Sequence, residues 1–423
     1  MFLSLSSLLF VTIVSAVPTG REDIVYPTIE TSRSGEKRVK FKALGQDVDL
    51  RLESAGNIFS EDFGLYEGEE ARRLPSSVHT LKNKLFKDNE KRAALYIDEN
   101  DDGTSIEGVI GAKMRILPEQ TVKNGRRAHR VFEVEEREDN HNIRLNDEII
   151  PPGVKGENGS TIKRYREIVP PGIKGRLNVA ESETERQGKQ CIIFVVKVLI
   201  VTEYYFSNSF SSNAEYEKYL AITIVYTQTL IDTMNFKIEI KLNAFLKYTK
   251  NSQPSFIEKS TLPNYPQYFD CEALIDNMCK FYSTGSVALA NNAHVIKMVS
   301  LRPMGDLVYG KLDLRTLGIA FVGGICEIKY KCGVSIDDPN DFHEFINTFA
   351  HELAHLLGCP HDEDPPVTYI KNSPGSLDCK WSYGHIMSYE SNAVNGSKFS
   401  PCSAACAKHL LDLTKCVKVP CPV

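Results

Sequence analysis

Between residues 25 and 135, apolar and polar side chains alternate with a period of two, in runs such as "RVKFKALGQDVDLRLES", "AALYIDENDDGTSIEGVIG" and "AKMRILPE". A period of two puts successive side chains on opposite faces, so these runs predict short, half-buried strands. The "ENDDGT" segment supplies the turn between two of them. Together they predict a β-rich domain of about 120 residues. After residue 190 the pattern changes. "CIIFVVKVLIV" is almost unbroken apolar sequence, as in a strand buried on both faces. "AEYEKYLAITIVYTQTLIDTMN" follows with helical spacing, and "FKIEIKLNAFLKY" returns to period two. Further strands are expected at "HVIKMVSL", "LGIAFVG" and "CGVSI". This succession predicts an α/β fold with a helix-flanked mixed sheet.

Two stretches follow neither period. Residues 1–16 are uncharged and apolar over Phe2 to Val14 and end Val14-Ser15-Ala16, which predicts a secretory signal peptide cleaved after Ala16, although the usual basic start is missing. The apolar run is shorter than the ~20 residues a membrane span needs, so no membrane anchor is expected. Between the two patterned halves, residues 146–190 carry a near-repeat, "EIIPPGVKG" (Glu148 to Gly156) and "EIVPPGIKG" (Glu167 to Gly175). Pro-Pro-Gly interrupts helix and ladder alike, so this part reads as an extended, exposed linker. Its basic tracts, Lys163-Arg164 and Lys174-Gly-Arg176, suit proteolytic processing. The chain therefore divides into residues 1–16, a β-rich unit at 17–145, the linker at 146–190 and an α/β unit at 191–423.

Composition adds the compartment. A net charge of -5 and a pI near 6.1 give no case for nucleic acid or an anionic membrane surface. None of the eleven cysteines precedes Cys191, so a disulfide framework is expected in the C-terminal half of a secreted, extracellular protein. An odd count leaves at least one thiol unpaired or paired outside the chain. Two sequons, at Asn158 and Asn395, are compatible with glycosylation.

The chemistry lies in "FAHELAHLLGCPHD", residues 349 to 362. A helix should begin near Asp341, with Glu344 as its capping-box partner, and end at Gly358, which suits a left-handed C-cap. Phe342, Phe345, Ile346, Phe349, Leu353, Leu356 and Leu357 form one apolar stripe, and His351 and His355 project from the opposite side. Two imidazoles four residues apart can reach one zinc ion, with Glu352 beside the metal as a proton acceptor. Gly358 lets the chain turn and bring back His361 as a third ligand. Three protein ligands leave a fourth position for water, the arrangement of a catalytic Zn2+ site holding one ion. The plainer reading is a helix merely rich in histidine. A Ca2+ ion is compatible with the sequence, but nothing in it calls for one.

The motif H-E-x-x-H-x-x-G-x-x-H resembles the metzincin zinc signature, and Asp362 directly after the third histidine resembles the adamalysin/reprolysin (M12B) branch. Met387, in "GHIMSYE", is similar to that family's methionine turn beneath the metal. "LGIAFVGGIC" resembles its edge strand, along which substrate lies antiparallel, and "KFSPCSAAC…LTKC" its C-terminal segment. Residues 17–145 resemble a reprolysin propeptide, and the whole layout resembles the short secreted forms of arthropod salivary secretions. The resemblance implies a zincin-like (metzincin) catalytic domain, with a twisted mixed sheet and an active-site helix, acting as a zinc metalloendopeptidase. Glu352 would be its general base, and proteins or peptides its substrates, among them extracellular matrix or clotting proteins. The propeptide would act as its inhibitor. The segment between His361 and Met387 would shape the S1′ pocket, and too little chain follows Cys416 for a disintegrin domain. The alternative is a catalytically silent, zinc-bearing secreted binding protein.

The resemblance also implies pairings and departures. Cys326 would pair with Cys416; Cys359 would tether the loop after the helix, with Cys379 as its partner, although sequence leaves the connectivity open. Ala354 stands where the family usually has glycine. Tyr389 resembles the tyrosine that approaches zinc in the astacin and serralysin branches, unless it is packed within the turn. His385 and His294 are not expected as ligands. The usual propeptide cysteine is absent, so Cys191 is either a displaced switch or a disulfide partner or leftover thiol.

Overall fold

The computed structural model describes residues 18–100, 103–134, 148–149, 191–338, 341–392 and 394–421. The expected signal peptide, the Asn158 sequon and the basic tracts of the linker lie outside these residues.

The N-terminal half builds a nine-stranded antiparallel sheet whose order runs from Pro18–Val25 through Arg126–Val134, Met114–Lys123, Ser105–Ile110, Ala93–Asp98, Leu85–Asp88, Gln46–Ser54 and Lys37–Ala43 to Thr28–Thr31. Alternation decides which face each residue takes. In Gln46–Ser54 only Val48, Leu50 and Leu52 are buried, at every second position, and they meet Val39, Ile97, Ile106, Ile116 and Val131 in one cluster. Asp98 pairs with Ser105, so the two strands flanking the expected turn are antiparallel neighbours.

The C-terminal half is built on a second, mixed sheet. Its order is Glu148–Ile149, Gly318–Phe321, Cys332–Ile336, Val295–Ser300, Ile192–Thr202, Ile238–Lys247, Phe59–Glu67 and Arg72–Leu74, with Lys418–Pro420 added alongside Ile192–Thr202. The strand at its centre, Ile192–Thr202, is the unbroken apolar run, and parallel neighbours bury it on both sides.

Two features depart from the pattern-based reading. Phe59–Glu67, from the N-terminal half, leaves its own sheet and pairs in parallel with Ile238–Lys247. The linker is not wholly outside the ladders either: Glu148 and Ile149 pair in parallel with Ala320 and Phe321, just ahead of the Pro151-Pro152 pair.

The long helix Asn213–Ile231 explains why the halves share a core. It is buried along nearly its whole length, because the N-terminal hairpins pack on one side and the helix Phe342–Leu356 on another. A helix apolar all round has no solvent face to offer. Ile58, Phe63, Leu65, Leu81 and Val109 therefore join Leu220, Ile224, Phe245 and Phe349 in a single cluster. Polar contacts fix the register. Glu217 is fully buried and accepts from Ser77 N (2.7 Å) and Ser77 Oγ (2.5 Å), with Ser76 Oγ as a third donor. Tyr226 Oη donates to Gly111 O (2.6 Å), and the Arg115 guanidinium lies over the Phe342 ring (4.7 Å).

Four disulfides staple the C-terminal half: Cys191–Cys421, Cys279–Cys332, Cys326–Cys416 and Cys379–Cys402. Cys326–Cys416 is as expected, and Cys191 is a disulfide partner. The expected Cys359–Cys379 pair is not formed. Cys379 instead reaches Cys402 in the first turn of the C-terminal helix Pro401–Leu413. Cys359 is buried against the same helix further along, its sulfur on Ser403 O (3.2 Å). Cys271, Cys359 and Cys406 are buried and unpaired.

Candidate metal centre

The active-site helix starts where the sequence places it. Asp341 caps it by accepting from Glu344 N (2.9 Å), satisfying one of the amides that a helix start leaves without an intrahelical partner. It ends at Leu356, Leu357 caps it, and Gly358 follows at φ +95°. There Gly358 N donates to His355 O (2.8 Å) and Cys359 N to Ala354 O (3.0 Å), closing the last turn. A side chain on Gly358 would be strained by its φ and would press within 2.9–3.0 Å of Leu410. The glycine thus sends the chain back across the helix and delivers His361. Ala354 is fully buried in the core, so the alanine in place of the family's glycine is accommodated by packing.

His351, His355 and His361 converge. Their ligand atoms all lie within 4.8 Å of one another, with ring centroids 4.6, 4.8 and 5.1 Å apart. Each outer nitrogen faces an oxygen: His351 Nδ1 donates to Ile386 O (2.8 Å) and His355 Nδ1 to Cys359 O (2.8 Å), while His361 Nδ1 meets Tyr389 Oη at 3.0 Å. A carbonyl only accepts, so the first two rings carry their proton on Nδ1 and present the Nε2 lone pair inward. His351 Nε2 and His361 Nε2 are 3.2 Å apart, close to the roughly 3.3 Å separating tetrahedral ligands on bonds of about 2.0–2.1 Å. Three buried imidazoles, two of them oriented from behind by backbone carbonyls, suit a zinc ion, which takes nitrogen ligands readily. The other convergent group among the described residues, His294 with Cys326 and Cys416, has both sulfurs tied in a disulfide. Neither group is the oxygen set that Ca2+ prefers.

Around the triad, Glu352 is fully buried next to it in sequence. Gly318, at the start of the strand Gly318–Phe321, lies so close that an added Cβ would come within 2.6 Å of Glu352 Cγ. Met387 is buried, and its carbonyl accepts from Asp362 N (2.9 Å), tying the methionine turn to the residue after the third histidine. Asp362 Oδ1 accepts from Ser400 Oγ (2.6 Å), and burial pushes its carboxyl up to about 6. Tyr389 rests on the outer nitrogen of His361 with its ring against Trp381 (4.9 Å). His385 and His294 lie apart from the triad, the latter on Val195 O (3.1 Å). Sequence reasoning missed Ser400 and the backbone acceptors of Ile386 and Cys359, which carry no side-chain signature.

A mixed sheet with a histidine-bearing helix returning through a glycine turn defines a zinc metalloprotease. The chain belongs to the reprolysin (M12B) family: residues 303–418 match the model of the "Reprolysin (M12B) family zinc metalloprotease". Over nearly its whole length it is similar to the venom metalloproteinase antarease of Tityus serrulatus, 35% identical over 412 residues, covering 96% of this chain and 95% of that one. It is also similar to an antarease-like venom metalloproteinase of Tityus trivittatus, again 35% identical over 412 residues, and to venom metalloproteinase BumaMPs1 of Olivierus martensii, 34% identical over 418 residues. The match thus includes the N-terminal half. The protein is a zinc metalloendopeptidase with protein substrates; its layout resembles arthropod salivary forms, and the relatives found are venom metalloproteinases.

Proposed function

We propose that this chain is a secreted endopeptidase in which His351, His355 and His361 hold one zinc ion and Glu352 is the general base. The observation that carries this reading is the convergence of three imidazoles, two of them fixed by backbone carbonyls with their lone pairs inward. Zinc bound there supplies Lewis acidity, acidifying water and polarising a scissile carbonyl. Glu352 takes the proton of the attacking water and delivers it to the leaving amine. The strand Gly318–Phe321 offers its outer edge to an antiparallel substrate, and Gly318 keeps the carboxylate close to that backbone.

The propeptide together with its linker acts as the inhibitor in this reading; one observation supports it, and a second rules out the displaced cysteine switch. Glu148 and Ile149 already occupy the edge at Ala320 and Phe321, and they run parallel, the direction opposite to that of the expected substrate. Cys191 is bonded to Cys421, which removes its sulfur from contention as a metal-blocking thiolate. Secretion rests on the apolar leader, the disulfides and the venom relatives; among the described residues no helix is long and apolar enough to cross a membrane. Matrix or clotting proteins are the substrate class to try first.

Zinc content and peptide cleavage by wild type and Glu352→Ala test the assignment. The variant should keep its zinc and lose about 10²–10⁴-fold in kcat. Bound zinc with no turnover of any peptide by wild type from which the N-terminal part has been cleaved and removed would make the chain a binding protein instead.

A further inference from the structure

Val295–Ser300 is buried at every position, and its third residue is a lysine. Lys297 is fully buried among the largest enclosed side chains of the protein. An ammonium in such a place is costly unless fixed partners face it. Its Nζ donates to Ser335 Oγ (2.9 Å) and lies over the Phe349 ring (4.9 Å) on the active-site helix. Gly333 opens the passage, since a Cβ there would sit 3.2–3.3 Å from Lys297 Cδ and Nζ.

The same ladder leads to Glu352. Ser335 pairs directly with Gly318, the residue against which the Glu352 carboxylate rests. Phe349 and Glu352 are three residues apart on one face of the helix. The ammonium, the hydroxyl and the carboxylate are therefore gathered beneath that helix by way of Ser335 and Gly318, and all three side chains are fully buried. Burial lowers the Lys297 ammonium to about 7, and the nearby Glu352 charge works against that lowering.

We infer that Lys297, held by Ser335, is a positioning residue for Glu352: from its place beneath the helix it offsets the charge of that buried carboxylate. The inference rests on the proposed role of Glu352 as general base. Lys297 touches neither substrate nor metal, so its loss should act on turnover and not on binding.

The test uses zinc-loaded full-length protein, processed alongside wild type, with a peptide substrate. In Lys297→Met, kcat should fall about 10- to 100-fold, the range for residues that orient a metal-site group from behind, with KM and zinc content within twofold of wild type. Ser335→Ala should fall less, and Lys297→Met/Ser335→Ala should be no worse than Lys297→Met alone, because both act through one contact. Lys331→Met is the control: that lysine is also buried, but its Nζ binds Ala290 O and Ala293 O (2.7 Å each), so its loss should lower the melting temperature and spare kcat. Unchanged kcat in Lys297→Met, or loss of activity only in proportion to loss of zinc, would overturn the inference. Should Lys297→Met fail to fold, Ser335→Ala decides, and wild-type kcat in that variant overturns it. Absence of peptide cleavage by wild type would count against the enzymatic reading itself, a separate outcome.

Discussion

The two halves of this chain hold themselves together differently. The N-terminal half has no cysteine; its antiparallel sheet relies on one apolar cluster and on docking against the long helix Asn213–Ile231. The C-terminal half has its own core and four disulfides, one of which, Cys191–Cys421, ties its first strand to its end. Burial weakens when the chain is cut or acidified, whereas a cross-link persists. The contrast fits the proposed division into a releasable propeptide and a secreted catalytic domain. The boundary is nevertheless not clean, because Phe59–Glu67 sits in the other half's sheet and shares its core. Removing the N-terminal half would strip a strand from Ile238–Lys247 and uncover an apolar edge.

The sharpest way to separate the halves is to attack the metal. A zinc chelator should abolish peptide cleavage while hydrogen exchange in the antiparallel sheet stays unchanged; exchange that loosened in both would mean the metal stabilises the whole chain. Next in size is the cross-link. Replacing Cys326 and Cys416 by serine opens a loop of sequence separation 90 and should cost about 2–4 kcal/mol in urea unfolding of the C-terminal half. An equal loss in the N-terminal transition would show the halves to unfold as one unit.

Acid should act the other way round. His129 is buried in the N-terminal sheet, where its Nε2 accepts from Ile106 N (2.9 Å), and burial holds it down to about 4. Its folded value lies below the unfolded value of about 6.5, so the folded state binds fewer protons. The stability it contributes is complete above about pH 6.5 and is lost as pH falls towards 4, about 2 kcal/mol after allowance for partial solvation. His129→Gln, which can still accept from Ile106 N, should flatten that slope in pH-dependent unfolding; an unchanged slope would assign it to other groups. The smallest effect belongs to the interface. Lys218→Met removes the contact with Glu107 (2.5 Å) and should loosen docking by no more than about 1 kcal/mol, read as the midpoint at which the halves separate.

Much of this was legible in residue order. Period two marked Gln46–Ser54, and unbroken apolarity marked Ile192–Thr202, because a strand's burial is written in which positions are polar. The histidine triad was legible because imidazoles that are to converge need a spacing of one helical turn and a glycine where the chain doubles back. The pairing of Cys379 was not, since a disulfide depends on which sulfurs the packed helix Pro401–Leu413 brings near. Lys297 left a faint mark, one charge inside "HVIKMVSL", with nothing to say what it faced.

The sequence by itself determined the local elements, the turn at Gly358 and the chemistry of the triad, all of which depend on neighbours within a few residues. Only the tertiary structure decided that Phe59–Glu67 joins the second sheet, that Glu148 and Ile149 lie on the strand beside Glu352, and that Lys297 is buried over Phe349 of the active-site helix. Those facts depend on ladder partners far apart in the chain. A strand's pattern states that it must be buried; it does not state against what.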